Sequence, residues 1–269
     1  MPPDTTPPAN SASDRRFTGV ARLYGASAAA TLRDAHVTVV GIGGVGSWAA
    51  EALARCGIGA LTLIDLDHIA ESNTNRQVHA LDPEFGKAKV IAMRERIARI
   101  SPACRVSCIE QFVTPENVSE LIPATGVVID CIDQVAAKAA LIAHCRASNI
   151  GVIVCGAGGG RTDPTRIERG DLARATGDPL LAAVRYRLRK HFGFARESEK
   201  RVPKFCVTAV YSDERVRVPA GGADAAAGLA CAGYGSSVVV TAPLGFAAAA
   251  CAIEHLTCGK AVGANNDGG

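Results

Sequence analysis

Short apolar runs alternate along the chain with longer amphipathic stretches, and that alternation sets the expected architecture. Residues 36–40 form a β-branched run of strand length, suited to a strand buried on both faces. Residues 45–56, rich in Ala and Leu, predict a helix packed close to a sheet, and residues 61–65 a second strand. In residues 87–100, Val90, Met93, Ile97 and Ile100 recur at helical spacing and predict an amphipathic helix. The series continues with a strand at 105–109, a helix at 115–121 with Thr114 as its N-cap, a strand at 127–131, a helix at 136–147 and a strand at 152–155.

Beyond this point the character changes. Residues 156–160 are glycine-rich, 178–191 predict a basic helix, 192–204 a basic loop and 207–211 a strand. Residues 220–228 read as a Gly/Ala linker, and the last helix, strongly apolar, follows from Tyr234 onward. Strands alternating with helices define an α/β class: a Rossmann-like, mostly parallel twisted sheet flanked by helices, with a C-terminal extension completing the sheet. Residues 1–14 and 261–269 read as disordered tails around one domain at 15–260.

Composition refines this picture. A chain of 269 residues that is 48% hydrophobic and 20% charged can bury a core and is not a disordered polymer. The net charge of +3 is too small to point to nucleic acid by itself, so an anion-binding surface has to be local. Ten cysteines suggest disulfides, yet the Pro-rich start has no apolar run of the signal-peptide kind, and Cys131, Cys155 and Cys251 sit inside apolar stretches. No CxxC pair occurs, which argues against a structural zinc site; a reduced, cytoplasmic protein is expected. Residues 238–253 fall short of the ~20 residues that a membrane span needs, and Pro243 and Gly245 interrupt them. A buried core helix is the expected reading, with membrane contact through this helix as the alternative.

The chemistry begins at Gly41-Ile42-Gly43-Gly44-Val45-Gly46-Ser47, between an expected strand and an expected helix. In that context, GxGxxG permits a tight turn, close approach of phosphate oxygens to the backbone, and close helix–strand packing. The helix N-terminus then offers free N–H groups to an anion. Asp65, near the end of the second strand, has the spacing of a ribose-binding carboxylate. A nucleotide is expected, and the loop alone admits NAD as readily as ATP. Asp67, Ser72-Asn73-Thr74-Asn75-Arg76-Gln77, Lys87, Lys89 and Asp133 follow. Arg76 and Lys89 suit phosphate oxygens and Asp133 suits Mg²⁺, needs that a triphosphate has and a nicotinamide site lacks.

GIGGVGS, DLD, SNTNRQ, the downstream lysine and the Asp of the DxxD segment together resemble the adenylating enzymes related to ubiquitin-activating enzyme. The resemblance implies ATP binding and attack of a carboxylate on the α-phosphate. It implies a nucleotide site of Gly41, Gly43, Gly44, Gly46, Asp65, Asp67, Asn73, Arg76, Gln77, Lys89 and Asp133. Asp65 would bind the ribose, Asn73, Arg76 and Lys89 the phosphates, and Asp133 the metal. Arg22 resembles the family's N-terminal arginine that reaches into the partner subunit's site, which implies a homodimer. Arg16-Phe17, Arg22-Leu23-Tyr24-Gly25, Trp48, Asn73 through Leu81, Gly156-Ala157-Gly158-Gly159, Asp178-Pro179-Leu180 and Cys231 through Ser236 further resemble the tRNA threonylcarbamoyladenosine dehydratases. That resemblance implies activation of a carboxylate on a modified tRNA adenosine, ring closure with loss of AMP, and a sulfur-transfer partner and a monovalent cation as open questions. It also divides the domain into an ATP-binding half, 15–155, and a substrate- and tRNA-binding half, 156–260.

Arg185, Arg189, Lys190, Lys200, Arg201 and Lys204 form the basic segment expected to meet tRNA phosphates, with Tyr186, Phe192 and Phe194 interleaved either for stacking on a base or for packing. Two other readings stand beside this one. The first is adenylation of the C-terminus of a ubiquitin-like or sulfur-carrier protein, against which the missing zinc pairs speak. The second is an NAD-binding oxidoreductase, which leaves Arg76, Lys89 and Asp133 without a role. Cys206 and Cys231 lie in the half of the chain where an acyl-accepting cysteine would fall, although packing explains them equally well.

Overall fold

The structure is a computed structural model and describes residues 15–124, 126–196, 202–217 and 234–258. The basic positions Lys200 and Arg201, Cys231, the 220–228 linker and both tails lie outside the described residues. Two helices, α1 (Thr18–Tyr24) and α2 (Ala26–Asp34), precede the first strand. The series β1 (His36–Val40), α3 (Gly46–Arg55), β2 (Ala60–Ile64), α4 (Lys89–Ile100), β3 (Arg105–Ile109), α5 (Val118–Leu121), β4 (Val127–Asp130), α6 (Val135–Ala147) and β5 (Gly151–Cys155) follows the expected alternation. The second half adds β6 (Ile167–Asp171), α7 (Pro179–His191), β7 (Thr208–Ser212) and α8 (Val238–Thr257).

The seven strands form one sheet in the order β3-β2-β1-β4-β5-β7-β6. All neighbours pair parallel except β6 with β7. Side-chain alternation divides the strand residues between two cores. Val37, Val39, Leu61, Leu63, Val127, Ile129, Ile153 and Cys155 face α3, α4 and α8. Val40, Ile64, Val128, Val152 and Val154 face α6 and α7. Burial on both faces is why these strands read as continuous apolar runs.

Three expectations need correction. Strand β6 was not foreseen, because Ile167-Glu168-Arg169-Gly170-Asp171 is an edge strand with an exposed centre and no apolar run. Helix α5 begins at Val118, not at 115, because Asn117 rather than Thr114 stands at its N-cap; its Oδ1 accepts the Thr114 N–H (2.7 Å) and its Nδ2 donates to the Phe112 carbonyl (2.9 Å). The last helix starts at Val238, where the Ser237 hydroxyl accepts the Val239 N–H. Of the basic segment, Arg185, Arg189 and Lys190 lie on the last turns of α7.

Helix α8 is long and apolar enough to cross a membrane by composition, and in this fold it is core. Val240, Leu244, Ala248 and Ala252 form one buried stripe at spacing four, and Gly245 lies against the backbone of Val45 and Ala49, where a Cβ would collide. Small residues on this face let α8 and α3 approach closely, which accounts for the Ala-rich sequence of both.

Candidate functional site

The sheet order reverses between β1 and β4, and the carboxyl ends of these strands leave a crevice where ligands bind in doubly wound folds. Gly41 follows β1, with its N–H on the Ile64 carbonyl (2.9 Å), and Cys131 follows β4, with its N–H on the Val40 carbonyl (2.8 Å). Gly41 has φ +84°, and a Cβ there would press on the Cys131 carbonyl. At Gly46 a Cβ would run into the Gly41 carbonyl, so the helix can start against the strand only with glycine at this position. The expected division of labour among the loop glycines is therefore steric fact at two of them.

One cleft brings together Gly41, Gly43, Gly44, Asp65, Asp67, Arg76, Gln77, Lys89 and Asp133 from five separate chain segments. Gly46 lies beneath the loop and Asn73 behind it; neither lines the cleft. The far wall comes from the second half of the chain, through Gly156, Ala157, Gly158, Leu180 and Thr241.

Each polar group has a definable anchor. The buried Asp65 carboxylate accepts the Ile42 N–H (2.6 Å) and the Asp67 N–H (2.8 Å), fastening the glycine loop to the end of β2. Burial pushes its pKa up, opposed by the Lys89 ammonium and these two N–H donors. Lys89, almost fully buried at the start of α4, donates to the half-exposed Asp67 carboxylate at 2.7 Å. The Arg76 guanidinium donates to the Ser72 carbonyl (2.9 Å) and Asn75 Oδ1 (2.8 Å), its stem lying over Gly44. The Arg76 carbonyl is itself pinned by Trp48 Nε1 (2.9 Å) and Thr241 Oγ1 (3.3 Å). Asn73 Oδ1 accepts the Ala70 N–H (3.1 Å) and so shapes the turn that presents Arg76. Gln77 Oε1 is buried in the cleft with no hydrogen-bond partner, and a Cβ on Gly43 would meet nothing within 4 Å. An orphaned acceptor, open space above the loop and two cations fit a polyphosphate nucleotide. Among the described residues no three His, Cys, Asp or Glu side chains cluster as a metal cage. Asp133 is exposed at the cleft mouth.

Several groups that hold this site carry no distinguishing signal in the sequence. Asp130 and Lys138 form a fully buried pair at 2.8 Å, and Asp130 also accepts the Ile132 N–H (3.0 Å), which shapes the turn carrying Asp133. Burial holds Asp130 above the usual carboxylate range in spite of Lys138. Arg161, also fully buried, pairs with Asp178 at 3.2 Å and donates to the carbonyls of Ala157 and Gly177. Asp178 accepts the Ala157 N–H (3.0 Å) and caps α7 through the Leu181 N–H (2.9 Å). Glu214 accepts the N–H groups of Thr162 and Asp163, both at 2.9 Å. A charged residue in a glycine-rich loop reads as solvated in a sequence; its burial appears only once β7 and α7 close over it.

Two sets of expected residues lie apart from the cleft. Arg22, on a helix with no buried residue, does not line it. The basic residues Arg185, Arg189 and Lys190 sit on the last two turns of α7, about 8 to 15 Å along the helix from the cleft-lining Leu180. Arg189 lies over the Phe205 ring and Lys190 over the Tyr186 ring, while Lys204 is exposed. Phe194 packs edge-on against Phe205 and is therefore core, whereas Tyr186 stays 65% exposed. Cys206 is exposed, with φ +54° and its N–H held by the Asp171 carboxylate at 2.7 Å. It lines a different cavity, at the opposite end of the sheet.

A glycine loop at a sheet switch point, with cations gathered over it and a wall supplied by the C-terminal half, defines an adenylating-enzyme type of nucleotide site. The chain belongs to the ThiF family, whose model matches residues 16–259. It is 47% identical over 250 residues to the tRNA threonylcarbamoyladenosine dehydratase of Escherichia coli K12, covering 90% of this chain and 93% of that protein. The Haemophilus influenzae protein of the same name is 45% identical over 247 residues, covering 90% and 94%. The crystal structure of the E. coli dehydratase TcdA in complex with ATP superposes with a TM-score of 0.82 at 45% identity, covering 93% of this chain and 96% of that one. Its complex with AMP gives 0.84, with coverage of 94% and 98%.

Proposed function

We propose that this chain is an ATP-dependent tRNA threonylcarbamoyladenosine dehydratase acting through an acyl-adenylate. The observation that carries the reading is the convergence of Arg76, Gln77, Lys89 and Asp133 over the glycine loop, in a chain 47% identical over 90% of its length to an enzyme of that name. The carboxylate of the threonine moiety attacks the α-phosphorus, and the bond to the β-phosphate breaks with loss of pyrophosphate. A nucleophile within the same modified base then attacks the acyl carbon, AMP leaves, and a ring closes with net loss of water. Arg76 and Lys89 offset the charge that gathers on the phosphate oxygens. Gln77 and the loop N–H groups orient the nucleotide, and Asp65 holds the loop in shape with its remaining acceptor capacity toward the ribose. Asp133 would hold Mg²⁺, which would supply charge neutralisation when bound. Ring closure is intramolecular, so a near-attack pose in the cleft accounts for much of the rate.

The same reading includes a homodimer in which Arg22 completes the partner's site. Its support is a helix α1 with nothing buried, carrying Leu23 at 76% and Tyr24 at 42% exposure. It includes tRNA contact through Arg185, Arg189, Lys190, Lys200, Arg201 and Lys204, a monovalent cation at the 156–160 loop and docking of a sulfur-transfer protein. It places the protein in the cytoplasm, supported by nine described cysteines that are all free thiols and by the packing of α8 as core. The division at residue 155 is functional rather than a domain boundary, since both halves contribute strands to one sheet.

The test is incubation of the protein with ATP and tRNA carrying threonylcarbamoyladenosine, followed by digestion and mass spectrometry. Loss of one water from the modified nucleoside is expected. Unchanged nucleoside from a preparation that binds ATP overturns the reading.

A further inference from the structure

A second cavity, about 570 Å³, lies on the outer side of α3 and α4, and no residue lines both it and the nucleotide cleft. Four arginines face it: Arg16, Arg55, Arg96 and Arg99. Glu51, buried beneath, is shared between Arg55 (2.8 Å) and Arg96 (2.6 Å). The other two carboxylates at the rim, Glu84 and Glu95, are both engaged by Lys87, at 2.6 and 2.8 Å. Among the described residues Arg16 donates to the carbonyl oxygens of Ile100 and Arg99, and Arg99 has no ion-pair partner. The wall therefore holds five cations against three carboxylates; Arg99 lies in the field of Glu95, and neither it nor Arg16 forms an ion pair among the described residues.

The floor carries the second observation. His79 lines this cavity, is 2% exposed, and neither ring nitrogen has a hydrogen-bond partner. A buried imidazole with two unmade hydrogen bonds is costly, and structures seldom leave such a group without a ligand or water. Burial, with Lys89 and Arg96 nearby, lowers its pKa to about 4, so at neutral pH it is an uncharged ring with one N–H to donate. An anion with several acceptor oxygens satisfies that N–H and the free guanidinium donors together; a cation meets the arginines' repulsion, and an apolar ligand leaves every donor unmet. Tetrahedral phosphoryl oxygens also suit the fork geometry of arginine.

We propose that this cavity is a second, phosphate-recognising site, seated on Arg16, Arg99 and His79 and separate from the ATP cleft. It communicates with that cleft through a short segment. Arg76 and Gln77 face the nucleotide, His79 faces the second cavity, and Val78 between them is fastened to Ser47 Oγ of the glycine-loop helix (3.4 Å). The occupant is either a free phosphoryl anion or a backbone phosphate of the RNA substrate. Phosphate binding at His79 does not depend on which carboxylate the enzyme activates.

The experiment saturates the ATP cleft with a non-hydrolysable ATP analogue and titrates inorganic phosphate while following the histidine side-chain ¹⁵N resonances, with His79 assigned through His79→Gln. A saturable shift of the His79 ring is expected, weakened at least tenfold in Arg16→Gln/Arg99→Gln, whose changes lie at exposed positions. If that variant also raises KM for tRNA at unchanged kcat, and tRNA competes with phosphate at His79, the occupant is a tRNA phosphate. An unchanged KM identifies a free anion. No saturable response at His79 overturns the proposal, as does a response identical in the variant. So does a weakened dimer by sedimentation without any phosphate effect, which makes this face a subunit contact. Failure of the dehydration assay with an intact His79 response leaves the second site standing while removing the proposed function.

Discussion

The two walls of the nucleotide cleft handle charge in opposite ways. On the side of the first half, Arg76, Lys89, Asp67 and Asp133 keep open donor and acceptor capacity; Asp67 is half exposed and Asp133 lies at the mouth. On the side of the second half, Arg161 and Asp178 are fully buried and spend their hydrogen bonds on backbone and on each other. The first wall is built to meet a ligand and the second to hold a loop at a fixed place. Burying a charged pair is rarely a net gain in stability, but removing one member strands the other in a medium of low polarity. A buried cation near such a site is not by that fact catalytic; what its donors touch decides.

Four measurements bear on this contrast. The largest effect is expected from Arg161→Met, which leaves Asp178 alone and costs about 3–5 kcal/mol of folding stability by urea denaturation. A double variant with Asp178→Leu should lose less than the sum of the singles, and a strictly additive cycle would deny the coupling. Next, Asp133→Ala and Arg76→Ala should lower AMP formation about 10²–10³-fold with the melting curve unchanged. Wild-type AMP yield in either removes that residue from its assigned role.

The third concerns pH. The folded pKa of His79 lies near 4, below its usual 6.5, so the unfolded chain binds more protons between those values. Stability should therefore fall as pH drops from about 6.5 toward 4, by on the order of 3 kcal/mol from this ring. His79→Gln should flatten that slope in acid-dependent urea melts; an unaltered slope refutes the assignment. The smallest effect is expected at Gly44→Ala, whose Cβ would sit 3.3 Å from the Arg76 stem and from Thr241. The neighbours must yield by a few tenths of an ångström, giving about a three- to tenfold rise in KM for ATP with stability nearly unchanged. A loss as deep as that of Arg76→Ala would mean that the loop itself, not Arg76, had been displaced.

Much of the first half was legible because its signals are local. Strand β1 falls where the β-branched run placed it, and the glycine loop has strand and helix on either side as its spacing requires. Edge strand β6 was hidden because a strand exposed at its centre carries no apolar period. The placement of the basic stretch was hidden for a different reason. Composition marks Arg185, Arg189 and Lys190 as cations, but only the direction of α7, set by the Asp178 cap and its packing against α6, carries them away from the cleft.

By itself the sequence determined a parallel α/β fold, a phosphate-accepting glycine loop and the set of charged residues able to surround a triphosphate. These follow from steric and periodic rules acting within a few residues. Only the tertiary structure decided which charges remain available. Lys89 and Lys138 are both lysines on buried helix faces, yet one reaches the cleft at Asp67 and the other is enclosed with Asp130. Arg161 is locked inside while Arg99 faces an open cavity and forms no ion pair among the described residues. Burial and partnership depend on segments far apart in the chain meeting across the sheet, and no local pattern encodes that meeting.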